Sequence, residues 1–259
     1  MSTHDDLARL QRVWSSLGRD DPLWAVLSQP GKRGRRWDEA EFLATGRTDI
    51  ETQLHGLAVY GLPLRHASAL DFGCGAGRLC RALAAHFERV VGVDVSPTMI
   101  EAARRINADL PQVQFRENPS TRLEGIADRS VDLVYSTMTL QHIPTALAAG
   151  YVAEFMRVLA PGGVAAFQFV AGPDLGSRRG RLYARLPNRW LNPLRRLLWR
   201  RWSVFEMHVL PEALLHERLA AEPGVRLLAA LDDGAAGPGW QGRRWYLTRD
   251  AVDDPGQDS

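Results

Sequence analysis

From Ala67 onward, short apolar runs alternate with segments whose apolar residues recur every three or four positions. That alternation is the signature of βα units and hence of a largely parallel sheet. The runs predict strands near 68–72, 89–93, 112–116, 131–136 and 163–170, and helices near 77–87, 97–108 and 145–159. Leu79, Leu83 and Phe87 make one apolar stripe on the first of these helices, which assigns them to the core. Ser96 and Pro97 open the second: a hydroxyl at the N-cap accepts a backbone N–H, and proline at the first helical position has no N–H to waste. Further on, the pattern predicts a helix near 211–221, a strand around 225–231 and a last strand around 244–249. At the other end, Leu7, Leu10, Trp14 and Leu17 lie at helical spacing, and a second helical segment follows the stretch GKRGRRW at 31–37. The expected architecture is a doubly wound α/β domain over 61–259, preceded by an N-terminal helical cap over 1–60.

Between the fifth strand and the next helix, 173–206 interrupts the βα rhythm and reads as an insertion. In NPLRRLLWRRW, Asn192 is a candidate N-cap and Pro193 the first helical residue, and Trp190, Leu194, Leu198 and Trp202 form one i, i+4 series. This predicts an amphipathic, arginine-rich helix over 190–202. Three readings stay open for it: a lid over a pocket, a membrane-surface or partner-binding helix, and an anion or nucleic-acid contact.

Composition narrows the class. A chain of 259 residues, 45% hydrophobic and 24% charged, buries one large core. MSTHDDLARLQRVW carries acids and arginines where a signal peptide needs an apolar run, and no later stretch is long and apolar enough to span a bilayer, so the expected location is cytoplasmic. Cys74 and Cys80 make neither a disulfide framework nor a four-ligand zinc site, and are read as reduced thiols. The net charge of +2 hides nine arginines between Arg178 and Arg201 with no acid among them, which leaves the rest of the chain at about −7. A globally basic nucleic-acid binder is thereby excluded; a locally basic module is not.

The chemistry concentrates in ALDFGCGAGR, residues 69–78, where a strand runs into a glycine-rich turn and then a helix. Glycines at 73, 75 and 77 let the backbone approach a ligand where any Cβ would clash. Alone, the turn indicates a nucleotide-like cofactor without saying which. In VVGVDVSP, Asp94 ends the next strand about 20 residues later, where an acid accepts hydrogen bonds from ribose hydroxyls. NAD and S-adenosylmethionine both carry that ribose.

Together these segments resemble the class I (Rossmann-like) S-adenosylmethionine-dependent methyltransferases over roughly residues 37–170. LDFGCGAGR resembles the family's first motif, in which Asp71 faces the methionine end and Gly73, Gly75 and Gly77 pack beneath the cofactor ahead of Arg78. GVDVSPTMI resembles the second, which assigns the ribose to Asp94 and puts Val95, Met99 and Ile100 near the adenosine. SVDLVYSTMTLQHIP, with Thr137 on the cofactor side, matches the fourth strand and its turn, and RVLAPGGVAAFQF matches the helix, turn and fifth strand. The resemblance implies a mostly parallel seven-stranded sheet whose last strand, RRWYLTRD, is antiparallel after the loop DDGAAGPGWQGR. Where many relatives place an acid for the adenine amino group, this chain has Glu117 followed by Asn118 and Pro119, and either Glu117 or Asn118 serves the adenine edge.

The implied cofactor is S-adenosylmethionine, leaving as S-adenosylhomocysteine, and the implied partner is a small-molecule acceptor methylated on oxygen or nitrogen. A sulfonium is already an activated donor, so the protein has to align the acceptor, exclude water and sometimes remove a proton. Gln141 and His142, just after the fourth strand, are candidate acceptor-side residues, and His142 is a candidate general base, pocket wall or helix cap. His208, in FEMHVLPEAL, is a second candidate base. RWDEAEFLATGRTDIE, residues 36–51, resembles the cap segment of some small-molecule methyltransferases; there Trp37 and Phe42 either close over cofactor or substrate or simply pack, and Gly46 allows a turn. Insertions after the fifth strand commonly build acceptor sites in this family, so the lid reading leads for 190–202, and its arginines, Arg195 and Arg196 among them, favour an anionic acceptor. Nucleic acid is disfavoured for want of interleaved aromatic and basic residues. His142 and His208 have no carboxylates at ligand spacing, so no metal is assigned. Two alternatives remain: an NAD(P)-dependent oxidoreductase, although no Tyr-x-x-x-Lys pair is present, and a non-catalytic protein that binds the adenosine cofactor.

Overall fold

The structure, a computed structural model, describes residues 3–61, 64–185 and 206–251. Seven strands form one sheet in the order β3-β2-β1-β4-β5-β7-β6: β1 (Ser68–Phe72), β2 (Arg89–Asp94), β3 (Val113–Glu117), β4 (Val131–Ser136), β5 (Leu159–Pro173), β6 (Val225–Asp232) and β7 (Trp240–Arg249). β1 to β5 pair in parallel, while β7 runs antiparallel to both β5 and β6. This is the mostly parallel seven-stranded sheet that the motifs imply. Strand order reverses beside β1, with β2 and β3 on one side and β4 and β5 on the other, and at such a switch point the connections diverge and leave a crevice at the strands' carboxyl ends.

Eight described helices complete the chain: α1 (Thr3–Asp20), α2 (Pro22–Val26), α3 (Glu39–Ala58), α4 (Arg78–Leu83), α5 (Pro97–Ile106), α6 (Thr145–Val158), α7 (Arg178–Arg185) and α8 (Glu212–Ala220). One face of the sheet buries Phe72, Phe155, Phe167, Phe169 and Trp245 beneath α6 and α8. The other buries Leu79, Leu83, Phe87 and Val90 together with Ile50 of α3 and Ile100 of α5. Ser96 caps α5 as its sequence requires, its hydroxyl accepting from the Met99 N–H.

The sheet's outer half extends further than the apolar pattern indicates. β5 reaches Pro173 and β7 begins at Trp240, because Gly172 and Pro173 find register partners in Gln241 and Trp240, so part of the expected glycine-rich loop is strand. In the N-terminal region α1 crosses α5 at Gly18, where an added Cβ would lie 2.3 Å from Thr98 Oγ1. Asp21 ties the arginine-rich loop down, one oxygen accepting from the Trp24 N–H and the other from those of Gly34 and Arg35. Gly46 departs from expectation. It sits inside α3 and turns nothing; its missing side chain lets the helix approach α4 so closely that a Cβ would lie 2.4 Å from the Arg78 carbonyl oxygen. Of the basic insertion, α7 lies within the description; the helix expected over 190–202, with Arg195 and Arg196, falls outside the described residues. No described helix is long and apolar enough to cross a membrane.

Candidate functional site

At the carboxyl ends of β1, β2 and β4 lies a cavity of about 570 Å³, inside the range of small-molecule and cofactor sites. Its floor is the turn after β1, where the Gly73 and Cys74 N–H groups both donate to the Val93 carbonyl and lock the turn against β2. Gly73 has φ +74, and a Cβ there would meet Thr139 at 2.2 Å; Gly75 has φ +51, and a Cβ there would meet Val26 at 2.4 Å. Backbone conformation and space therefore both require glycine at these two positions.

Asp94, at the end of β2, faces the turn. Oδ2 accepts from the Gly75 N–H at 3.0 Å and Oδ1 from the Ser96 N–H at 2.9 Å. Burial pushes this carboxyl up to about 6, and the backbone donors of Ser96, Gly75 and Val95 hold it from going higher. Each carboxylate oxygen has a second lone pair, so Asp94 can serve the turn and a ligand at once. Val95, Met99 and Asn118 continue the wall on this side; Thr137, Gln141 and His142 line it after β4. Arg78 also reaches the wall. Its guanidinium is almost wholly buried, Nη1 donates to Asp49 Oδ2 at 2.6 Å, and Nε has no partner.

Other expected site residues lie elsewhere. Asp71 sits behind the turn at 1% exposure, where Oδ2 accepts from the Cys80 thiol at 3.2 Å and Oδ1 has no partner; burial pushes its carboxyl up to about 7. Gly77 starts α4 in the left-handed conformation and lets Asn107 and Phe115 pack against it, away from the cavity wall. Ile100 is in the core. Trp37 and Phe42 do not close over the cavity. The Trp37 indole donates to the Leu27 carbonyl, its ring meets that of Phe42 edge-on at 5.8 Å, and both belong to the core between α2 and α3. The His208 side chain is likewise not part of the wall; it lies 3.8 Å from the Glu206 carboxylate while its own N–H donates to the Gln141 carbonyl.

Around His142 runs a chain of hydrogen bonds whose direction is forced from both ends. The Met138 N–H can only donate, and it bonds Gln168 Oε1 at 2.9 Å. Gln168 therefore presents its amide nitrogen to Gln141 Oε1 at 3.1 Å, and Gln141 presents its own to His142 Nε2 at 3.2 Å. At the far end the Glu206 carbonyl can only accept, so His142 Nδ1, 2.9 Å away, carries the hydrogen. Both constraints agree: the imidazole is neutral, protonated on Nδ1, with the Nε2 lone pair already held. Burial lowers its pKa to about 4, against a smaller opposing contribution from the Glu206 carbonyl. The held lone pair and low proton affinity weigh against His142 as a general base and favour its reading as pocket wall. In a ¹⁵N-resolved NMR titration its ring should stay in the Nδ1–H form from pH 8 to pH 5.5, and a midpoint above pH 6 would refute the assignment.

Gln168 was missed by motif reading, although one signal exists: it is the lone polar residue in the apolar run VAAFQFV, and it is fully buried. Met138 holds φ +56, a strained conformation for a side chain of its size, and that turn aims its N–H at Gln168. Leu7, Leu10 and Trp14 of α1, together with Tyr183 and Trp240, whose rings stack at 5.0 Å, complete an apolar and aromatic wall on the remaining sides.

Comparison with known proteins agrees with this geometry. Residues 69–163 match the family model described as a methyltransferase domain. The chain is 37% identical over 102 residues to a trans-aconitate 2-methyltransferase of Methylobacterium radiotolerans, covering 39% of this chain and 36% of that protein. It is 29% identical over 151 residues to a ubiquinone biosynthesis O-methyltransferase of Paracidovorax citrulli, covering 58% and 62%. The first curated relatives are matched over only 36% to 42% of their own length. Among solved structures, the magnesium protoporphyrin IX methyltransferase of Synechocystis PCC 6803 with bound SAH superposes with a TM-score of 0.61 at 18% identity, over 95% of this chain and 100% of that one.

Proposed function

We propose, from the match of residues 69–163 to a methyltransferase-domain model and from the class I type of sheet, that the chain transfers a methyl group from S-adenosylmethionine to a small-molecule acceptor. The observation that carries this reading is the placement of Asp94. It stands at the switch point of the sheet, bonded to the glycine turn, with lone pairs left for a ribose. Two buried atoms without a hydrogen-bond partner beside the turn fit the rest of the cofactor. Arg78 Nε is a buried donor lacking an acceptor, and Asp71 Oδ1 a buried acceptor lacking a donor. An amino-acid end, carboxylate and ammonium together, supplies what each lacks.

Asp94 then holds the ribose, Val95 and Met99 pack on the adenosine, Asn118 offers its amide to the adenine edge, and Arg78 takes the carboxylate. The bound cofactor supplies an activated methyl group. What the chain supplies is alignment and exclusion of water: the aromatic wall fixes the acceptor, and the relay from Met138 to Glu206 fixes the side chains of Gln141 and His142 against it. The relatives' names, a trans-aconitate methyltransferase and an O-methyltransferase, support a small acceptor with an oxygen nucleophile.

Calorimetry with S-adenosylhomocysteine and with NAD(P) tests the reading, which predicts tight binding of the first alone; selective NAD(P) binding would overturn it. The same titration carries a pH prediction. Ribose hydroxyls donate to the ionised form of Asp94, so binding must expel the proton that the empty site holds below its pKa of about 6. Affinity is therefore full above about pH 7 and falls as the pH drops, to about tenfold weaker at pH 5. Asp71, raised to about 7, acts in the same direction through the cofactor's ammonium. Affinity that is unchanged or rises between pH 7.5 and pH 5 would contradict these roles.

A further inference from the structure

We infer that Arg244, on the last strand, is a positioning residue for the cofactor: it holds the Thr137 hydroxyl as an aimed donor to the carboxylate of the cofactor's amino-acid end, beside Arg78. This rests on the methyl-transfer reading and adds a second donor to the carboxylate which that reading places there.

The direction of one hydrogen bond carries the argument. Arg244 Nη2 lies 3.2 Å from Thr137 Oγ1. A guanidinium has hydrogens to give and no lone pair to offer, so in this bond the threonine oxygen is the acceptor. A hydroxyl that accepts still has its own hydrogen to donate, and the cation on its oxygen strengthens that donation. The hydrogen must point away from Arg244, and Thr137 lines the cavity. The backbone that carries the side chain is fixed as well, since the Thr137 carbonyl accepts from the Thr139 hydroxyl at 3.1 Å.

Arg244 is itself held in place on its other nitrogens. Nε donates to Asp233 Oδ2 at 2.7 Å, and Nη1 to the Tyr135 hydroxyl at 3.2 Å and to Gln53 Oε1 at 3.5 Å. Gln53 Oε1 is anchored in turn by the Tyr246 hydroxyl at 2.9 Å. Partners on α3, on β4 and just after β6 thus fix a planar fork, and a planar fork held at Nε and Nη1 has one direction left for Nη2. Sequence reading places Thr137 on the cofactor side by resemblance alone; its tie to a residue 107 positions later exists only in the fold.

Register places this donor at the amino-acid end. Asp71 of β1 is the register partner of Tyr135 of β4, and alternate residues of a strand share a face, so Thr137 follows Tyr135 on the Asp71 side of the sheet. Arg78 belongs to the same neighbourhood. Burial raises the pKa of the Tyr135 phenol, and the charges of Arg244, Asp49 and Arg78 all act on that one hydroxyl. A carboxylate brings two oxygens and about four lone pairs, more than the single buried N–H of Arg78 Nε can satisfy. The Thr137 hydroxyl supplies the next donor. It suits the carboxylate and not the cofactor's ammonium, which has no lone pair to receive it.

The test titrates the full chain with S-adenosylhomocysteine and with 5′-methylthioadenosine, the same nucleoside thioether with a methyl group in place of the amino-acid chain. Thr137→Val keeps the shape and removes the hydroxyl. It should weaken S-adenosylhomocysteine at least about tenfold, the loss of a hydrogen bond to a charged group, and leave methylthioadenosine within about twofold. Thr137→Ser, which restores the hydroxyl, should recover most of the loss. Arg244→Lys keeps a cation for Asp233 but cannot hold Asp233, Tyr135 and Thr137 at once, so it should weaken S-adenosylhomocysteine about threefold to tenfold and spare methylthioadenosine. Because Arg244 acts through Thr137, adding Arg244→Lys to Thr137→Val should cost S-adenosylhomocysteine nothing more. If Arg244→Lys does not fold, Arg244→Met with Asp233→Asn, which leaves no charge unpaired, takes its place with the same expectations. Equal losses for both ligands in Thr137→Val, no loss for S-adenosylhomocysteine in either single variant, or additive losses in the combined one would overturn the inference. Failure of S-adenosylhomocysteine to bind the wild-type chain would instead refute the methyl-transfer reading, so the two failures are distinct.

Discussion

Asp94→Asn should weaken S-adenosylhomocysteine binding by on the order of 100-fold while leaving the ligand-free protein folded. The carboxylate is asked to hold two backbone N–H groups and two ribose hydroxyls, four donors on four lone pairs. An asparagine has the same shape with half the accepting capacity. It can keep one backbone donor satisfied through Oδ1, but its NH₂ then faces the other N–H and offers the ribose nothing to accept with. The Oδ1 oxygen's second lone pair still serves one hydroxyl, so the loss is one charge-assisted bond of about 1.5–3 kcal/mol, toward whose upper end about 2.7 kcal/mol corresponds to about 100-fold. The fold is protected by an opposite effect. The carboxyl's pKa in the folded protein is raised to about 6, so between the ordinary value near 4 and about 6 the native state binds more protons than the unfolded one, and stability falls as pH rises through that window. A neutral amide removes that loss, which offsets the disturbed turn. Calorimetry together with thermal melts of the empty protein reads both arms. Binding within fivefold of wild type would remove Asp94 from the cofactor site.

Legibility in the sequence followed what periodicity and local chemistry can express. Ser96 and Pro97 announce a helix start through their own side chains, and ALDFGCGAGR announces a strand, a turn needing φ above zero and a helix, so α5 and the floor of the cavity were readable directly. What escaped was partnership across the chain. Gly46 looks like a turn residue in isolation; that it lies against the Arg78 carbonyl depends on where α3 docks, which no local pattern encodes. Trp37 and Phe42 are apolar residues of the cap, and their burial was expected, but periodicity does not say against which surface a face is buried. His142 is the clearest case. Its position after β4 suggested a base, whereas its protonation state is set by Gln168, 26 residues later in the chain, and by the Glu206 carbonyl beyond the insertion.

Arg244→Met should cost the protein about 3–5 kcal/mol, the cost typical of removing one partner from a buried ion pair. The guanidinium is 7% exposed and holds three elements together. Nε donates to Asp233 Oδ2 at 2.7 Å, Nη1 to the Tyr135 hydroxyl at 3.2 Å and Nη2 to Thr137 Oγ1 at 3.2 Å. Asp233 is itself nearly buried, and its other oxygen caps the turn Gly234–Ala236 by accepting from the Ala235 N–H at 2.7 Å. Methionine fills the volume of the arginine stem but leaves that carboxylate charged and unpaired. For a chain of this size the loss corresponds to a melting temperature lower by about 10 °C. The cause can be isolated with Asp233→Asn in the same chain. The asparagine keeps an acceptor for Ala235 and abandons the charge, so the double variant should recover more than half of the lost stability. A double variant as unstable as Arg244→Met alone would place the cost in the bonds to Tyr135 and Thr137 instead, and would make the guanidinium a clamp on the end of β4 rather than a counter-ion for the loop beyond β6.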